Sequence, residues 1–437
     1  MPAPPSEQPD APAPSLPRQR CAACAHELPD TDPATRCPRC GGLLDIALPD
    51  PPERGPALAR RFGERRRALS GIDASGVWRY RELVHPSAVP SGIVTWPEGN
   101  TPLVESARVA AWAGVPALSL KHEGMNPTGS FKDRGMTVGI TQARRLGARA
   151  VACASTGNTA ASLAAYAARA DLPALVLIPA GRVALGKLIQ SVAYGARTLL
   201  VRGDFDDCLR LVRDASEQLG VYLLNSVNPW RVQGQKTIVL ELLEQCGWEA
   251  PDWIAVPAGN LGNTAAFGAA LRDAVALGLI ARAPRIAAVQ ASGAAPFARS
   301  FDERFATRYR VTPHTAATAI AIGDPASWDR AVRAIRETRG VVTAVTDDDI
   351  LEAKAVVDAA GIGCEPASAA SVAGVRRLVR EGVIGRAERV VAVLTGHVLK
   401  DPDAVAHYHR ERDPAPAGAN RPIEIDATLD AVKRVLA

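Results

Sequence analysis

The residues of this chain best suited to chemistry fall at four short junctions. In the first, His122-Glu123-Gly124-Met125-Asn126-Pro127-Thr128-Gly129-Ser130-Phe131-Lys132-Asp133-Arg134-Gly135, a lysine stands at the start of a helical stretch, just after a Gly-Ser pair suited to cap it. An ammonium beside the positive end of a helix is disfavoured, which eases the use of Lys132 as a neutral amine and suits it to Schiff-base chemistry. On spacing alone, a surface lysine is the commoner meaning of such a position. The second junction, Ser155-Thr156-Gly157-Asn158-Thr159, offers hydroxyls, an amide and free backbone N–H groups. That inventory can hold a carboxylate, and it equally describes an ordinary capping turn. In the third, Gly259-Asn260-Leu261-Gly262-Asn263, two glycines let the backbone approach a phosphate and the following helix presents its positive end. Gly-Asn is also plain turn chemistry, and the loop is neither a Walker loop nor a GxGxxG dinucleotide motif. The fourth, Leu394-Thr395-Gly396-His397-Val398-Leu399-Lys400-Asp401-Pro402, ends the last apolar run, and His397 taken alone reads as structural.

These junctions need elements to position them, and the pattern beyond residue 70 supplies them. Short apolar runs at 117–120, 150–154, 174–178, 198–201, 222–224, 253–256, 285–289, 341–345 and 390–394 predict strands. Helical stretches at 158–169, 205–217, 230–246, 262–277, 326–338, 347–360 and 367–379 fall between them. Strand and helix alternating in this way predict an α/β fold with helix-covered, mainly parallel sheets. In such sheets ligands bind beyond the carboxyl ends of the strands, where the four junctions lie.

A second cluster stands apart near the N-terminus. Cys21, Cys24, Cys37 and Cys40 form CxxC-x12-CxxC, whereas Cys153, Cys208, Cys246 and Cys364 are scattered. Two knuckles can supply a tetrahedral shell for structural zinc; incidental or redox thiols are the alternative. A closed four-sulfur shell leaves no position for substrate, and the scattered four read as small buried hydrophobes. The net charge is +5 with both signs spread along the chain, and aromatics make up 5%. Neither feature favours nucleic acid or an acidic membrane as partner. The basic run Arg60, Arg61, Arg65, Arg66 and Arg67 reads as a solvated helix face. No stretch is long and apolar enough for a spanning helix, and the Pro/Ala-rich start lacks signal-peptide features, so the expected location is cytoplasmic.

Taken together the motifs resemble one family. Lys132 within GSFKDRG, STGNTAAS at 155–162, GNLGN at 259–263, CEPASAAS at 364–371 and LTGHVLKDP at 394–402 are similar in order and spacing to the threonine synthases, across roughly 75–435. These are pyridoxal-phosphate enzymes of fold type II, related to tryptophan synthase β and threonine dehydratase. The resemblance implies two α/β subdomains and makes Lys132 the Schiff-base lysine and proton shuttle. It places the cofactor phosphate at Gly259, Asn260, Leu261, Gly262 and Asn263, its phenolic oxygen at Asn158 and its pyridine nitrogen at Thr395. It assigns the α-carboxylate of the substrate to Ser155, Thr156 and Thr159. The substrate it implies is O-phospho-L-homoserine, whose γ-phosphate calls for a second anion site; Lys187, Asn225, Ser226 and Arg231 offer suitable donors. The reaction implied is β,γ-replacement to L-threonine and phosphate.

Val398 and Leu261 depart from the family pattern, where smaller residues are usual, and both sit next to cofactor contacts. A threonine dehydratase-like or cysteate synthase-like lyase would share the cofactor site, and a catalytically silent amino-acid-binding scaffold or a nucleic-acid-binding ribbon are the readings from other classes. The expected organisation is a disordered leader over 1–20, a four-cysteine zinc ribbon over 21–46, a catalytic core over 72–410 with a smaller subdomain near 136–230, and a tail over 411–437. That tail carries a short helix packed back on the core. Relatives in the family are often dimers, and the sequence leaves a homodimer open without requiring it.

Overall fold

Three sheets organise the chain, described in a computed structural model over residues 16–181 and 185–436, apart from the side chains of 185–187 and 205. The strands are β1 (Arg18–Cys21), β2 (Glu27–Pro29), β3 (Leu44–Ala47), β4 (Leu103–Glu105), β5 (Leu118–His122), β6 (Ala150–Ala154), β7 (Ala174–Pro179), β8 (Arg197–Val201), β9 (Val221–Leu223), β10 (Trp253–Pro257), β11 (Arg285–Ala291), β12 (Val341–Val345) and β13 (Val390–Leu394). The larger sheet runs β12-β11-β10-β13-β5-β4 and is parallel except for the antiparallel edge strand β4. The smaller runs β8-β7-β6-β9 and is wholly parallel. Every residue of β10 and β13 is buried, as befits strands covered by helices on both faces.

The nine apolar runs all form strands, and the helical stretches form helices with ends shifted by a few residues. Strands β1 to β4 and the helices Ala107–Ala113, Leu185–Ala193 and Pro296–Asp302 were not legible as such, whereas the helix Gly55–Arg65 carries the first three arginines of the run that reads as a helix face. The leader ends earlier than residue 20. Arg18, Gln19 and Arg20 already pair with β2 and β3 in the antiparallel ribbon, while residues 1–15 lie outside the described ones. The basic run is mostly solvated, with one correction: Arg65 is largely enclosed and clasps Glu82 through two bonds of 2.5 and 2.8 Å. In the tail, the helix Leu429–Leu436 buries Ala431 alone among its residues, so the expected packing against the core is slight. No helix among the described residues is long and apolar enough to cross a membrane.

The ribbon touches both halves of the core. Asp30 pairs with Arg145 at 2.9 Å and accepts a bond from Gln142 on its carbonyl, both from the last turns of the helix Lys132–Arg145. Asp45 pairs with Arg330 (2.7 Å) and Arg333 (3.0 Å) of the helix Trp328–Glu337, and Ile46 joins the main apolar core.

A buried ionic network ties β5 to the helices Lys132–Arg145 and Pro229–Gln245. Glu241, on the helix Pro229–Gln245, accepts from Lys121 (2.6 Å), Arg134 (2.8 Å) and Arg79 (3.1 Å), and Glu123 pairs with Arg134 at 2.7 Å. All five side chains are within 1% of full burial. Glu241→Gln leaves three buried cations under-compensated, so the protein should lose about 3–5 kcal/mol of stability, measured by denaturant titration. The neighbouring cations hold the Glu241 and Glu123 carboxyls below their usual range against a burial effect that raises them. Their contribution is therefore fully present above about pH 4.3 and is lost only as pH falls below it.

Candidate active site

Lys132 opens the helix Lys132–Arg145, with the cap position on Phe131, one residue later than the Gly129-Ser130 pair. The loop before it is stitched to β13: Phe131 N donates to Thr395 O at 3.0 Å and His397 N to Gly129 O at 2.9 Å. Asp133 fixes the loop from the other side, accepting from Thr128 N (2.7 Å), Thr128 Oγ1 (2.6 Å) and Ser162 Oγ (2.6 Å). The Lys132 side chain is half-buried. Burial, reinforced by the Arg231 guanidinium, brings its amine down to about 7, while Glu365 pulls the other way. Half of this amine is neutral near pH 7. The rate at which the ligand-free protein reacts with an aldehyde should therefore climb through pH 7 and level off about one to two units above, whereas an ordinary lysine climbs past pH 10. Stopped-flow absorbance across pH reads the midpoint directly.

Ser155, Thr156 and Thr159 lie half-buried in the turn from β6 to the helix Asn158–Arg169, and Asn158 is its first residue. Asn158 Nδ2 donates to Glu365 Oε2 at 3.0 Å. Thr395, at the end of β13, faces Ser368 Oγ at 3.0 Å and Glu365 Oε1 at 3.5 Å. One carboxyl thus stands between the two residues. Glu365 went unassigned in the sequence because an acid before a proline at a helix start reads as an ordinary first-turn charge; the CEPASAAS motif around it was the available signal.

The glycine-asparagine loop follows β10. Gly259 runs against the 318–322 segment so closely that a Cβ there would sit 2.9 Å from Ile320 Cα. Asn260 ties the loop down: its Oδ1 accepts from Ala326 N at 2.6 Å and its Nδ2 donates to Ser226 Oγ at 2.5 Å. Leu261 adopts φ +62 and is 2% exposed, its side chain in the main apolar core. Its departure from the family pattern therefore bears on packing and backbone strain rather than on a ligand. The helix Gly262–Ala276 starts immediately after, so its first N–H groups lack intrahelical acceptors. Asn263 Oδ1, Thr264 Oγ1 and Gln235 Oε1 are buried without partners among the described residues around this turn. Val398 packs on Gly363, where a Cβ would lie 3.2 Å from Val398 Cβ.

Arg231 is the unusual cation. It is 1% exposed, its Nη1 donates to Leu224 O at 2.9 Å, and its Nε and Nη2 have no partner among the described residues. Burial pushes it down to about 10. Asn225 is engaged differently from expectation: its amide pairs with both backbone groups of Ala154, at 3.0 and 3.1 Å, and so shapes the Ser155 turn. Ser226 reaches the Asn260 loop. Lys187 falls within the helix Leu185–Ala193, but its side chain lies outside the described residues.

Away from this cleft, the sulfurs of Cys21, Cys24, Cys37 and Cys40 all lie within 4.8 Å of one another. Separations of 3.5, 3.6 and 3.4 Å between individual pairs are close to the ~3.8 Å edge of a tetrahedral zinc–thiolate shell. Cys153, Cys208 and Cys364 are buried, as expected for small apolar residues, whereas Cys246 is only half-buried.

Comparison with known proteins bears on this geometry. The pyridoxal-phosphate dependent enzyme family matches residues 94–396. The chain is 43% identical to the threonine synthase of Methanosarcina acetivorans over 421 residues, covering 95% of this chain and 98% of that one. It is likewise 43% identical to the threonine synthase of Methanocaldococcus jannaschii, covering 96% and 99%. Among solved structures it is similar to threonine synthase from Escherichia coli, with a TM-score of 0.68 at 18% identity, covering 96% of this chain and 99% of that one. It is also similar to the processed threonine deaminase isoform 2 of Solanum lycopersicum, with a TM-score of 0.61 at 21% identity, covering 80% and 92%. At these identities the two structures speak for the fold alone.

Proposed function

The chain belongs to the pyridoxal-phosphate dependent enzymes, as a lyase of the threonine synthase family, and on that premise we propose that Lys132 carries the cofactor and that O-phospho-L-homoserine is the substrate. The observation that carries this reading is a readily neutral lysine beside a buried guanidinium with two N–H sides unpartnered among the described residues. An amine of that kind can form and exchange an imine, and a cation of that kind awaits an anion.

The residues fit the cofactor. Asn263 Oδ1 and Thr264 Oγ1, unpartnered among the described residues, and the open first turn of Gly262–Ala276 make a cradle for its phosphate. Bound there, the cofactor supplies an electron sink for a carbanion next to the amino group. Asn158 serves its phenolic oxygen and Thr395 its ring nitrogen, while Ser155, Thr156 and Thr159 hold the substrate carboxylate. Lys132 Nζ removes the proton from Cα and then one from Cβ. Arg231, with Ser226 and Lys187 as further donors, grips the γ-phosphate and favours its departure from Cγ; Asn225 acts by holding the turn at Ala154. The phosphate leaves with the Cγ–O bonding pair, and Lys132 returns one proton to Cγ, which becomes the methyl group. Water adds its hydroxyl at Cβ while its proton goes to the released phosphate, and Lys132 returns the other proton to Cα.

Arg231, with its Nε and Nη2 unpartnered among the described residues, favours a phosphorylated substrate over the plain hydroxy-amino acids of a dehydratase. Purified protein given O-phosphohomoserine should release threonine and inorganic phosphate in equal amounts. Phosphate released from O-phosphoserine in its place, or 2-oxobutanoate formed from threonine alone, would overturn the substrate assignment.

The four ribbon thiolates suit a structural zinc, which has no open coordination position there. Metal analysis should find about one zinc per chain, lost in a Cys37→Ser, Cys40→Ser double variant. Wild-type protein purified metal-free and fully folded would remove the assignment.

A further inference from the structure

We infer that Glu365 is a positioning residue that orients the Asn158 amide and the Thr395 hydroxyl toward the two polar edges of the cofactor ring, and through Thr395 sets how strongly the ring nitrogen holds its proton. The inference rests on the proposed placement of the cofactor between those two residues, and it goes beyond it in assigning a role to a third.

Glu365 is built into the site rather than into its own helix. It stands at the cap of the helix Pro366–Arg380 yet its side chain makes no capping bond there. It is 4% exposed, and its backbone N–H donates to Gly396 O at 3.0 Å. The carboxyl lies against Gly396, where a Cβ would come within 2.5 Å of its carbon, so any larger residue there would displace the carboxyl from this position. Oε2 accepts from Asn158 Nδ2 at 3.0 Å. An amide nitrogen so held has one N–H committed to Glu365 and a second N–H available for an oxygen of the ligand.

The second arm runs through hydroxyls. Gly396 N–H donates to Ser368 Oγ at 2.9 Å, which leaves the Ser368 hydrogen for Thr395 Oγ1 at 3.0 Å or for Gly396 O at 3.3 Å. With Ser368 donating to it, Thr395 keeps one hydrogen and one lone pair. Glu365 Oε1 stands 3.5 Å from that hydroxyl, too far for a strong bond but near enough to bias it. If the hydrogen points to the carboxyl, Thr395 offers a lone pair and stabilises a protonated ring nitrogen. If it points into the cleft, Thr395 donates and favours the neutral ring. A hydroxyl alone is indifferent between the two; the carboxyl behind it is not. Burial raises the proton affinity of Glu365, opposed by the Asn158 bond and by Lys400 and Lys132, with Asp401 acting in the raising sense.

The test is Glu365→Gln in the full-length holoenzyme, an isosteric change that replaces one acceptor by a donor facing Asn158 or Thr395. Borohydride reduction and peptide mass analysis first establish that Lys132 still carries the label, which separates failure of the cofactor assignment from failure of this inference. With the label on Lys132, the ¹⁵N shift of ring-labelled cofactor should move toward the neutral pyridine value. The cofactor should also dissociate about tenfold more readily, and kcat should fall with little change in KM. A ring ¹⁵N shift and a cofactor affinity within twofold of wild type would overturn the role. Should the glutamine variant fail to fold, Glu365→Asp withdraws the charge from both partners by one carbon. An unchanged ring ¹⁵N shift in that variant overturns the inference equally.

Discussion

Lys132→Ala should leave a folded protein that binds cofactor without covalent attachment and turns over at least about 10³-fold more slowly. The fold has no stake in the amine: Lys132 Nζ is tied to no carboxylate among the described residues, and its closest ring contact is its own neighbour Phe131 at 4.1 Å. What the substitution removes is the group that must be neutral to attack an aldehyde and basic enough to take a proton from carbon, two demands that an amine near pH 7 meets together. Borohydride treatment should then label no peptide containing residue 132, and the visible absorbance of the bound cofactor should shift to that of the free aldehyde. Full activity in this variant would refute the central assignment.

Arg231→Met gives the second large effect, and its direction separates function from stability. A guanidinium with two unpartnered N–H sides in a buried setting costs the free protein stability rather than supplying it. Methionine of similar length removes that cost and loses one bond to the Leu224 carbonyl. The melting temperature should stay within about 3 °C of wild type, or rise. Activity with the phosphorylated substrate should fall by about 10²-fold or more, the usual loss when one member of a buried charged pair is truncated. Because Arg231 helps to lower the Lys132 amine, its removal should also raise the pH midpoint of aldehyde attachment above 7. A stability loss of several kcal/mol with unchanged turnover would make Arg231 a structural residue.

Some candidate residues could be named without the fold and others could not. Lys132, the 259–263 loop and the Cys21/Cys24/Cys37/Cys40 set announce themselves because each combines unusual residue types at a short local spacing. Glu365 did not, since its meaning comes from Asn158, 207 positions earlier in the chain, and from Thr395 thirty positions later. Asn225 was read as a ligand donor, but its side chain meets the Ala154 backbone across 71 positions. No periodicity or motif carries a contact of that separation.

Alternation of apolar runs and amphipathic stretches was enough to determine the α/β class and nearly every strand of the two parallel sheets, because a buried strand must be apolar along its own length. Strand order, the antiparallel edge β4, the Asp30 and Asp45 contacts that dock the ribbon on both halves, and the ionic network around Glu241 were decided by tertiary structure. The same holds for the proton affinity of Lys132: its type and helix-start position are local, whereas the desolvation and the nearby guanidinium that bring it near 7 exist only when Arg231, 99 residues away, folds in beside it. Local sequence sets which groups are present; their charge states depend on neighbours and on exclusion of water, and those are properties of the packed chain.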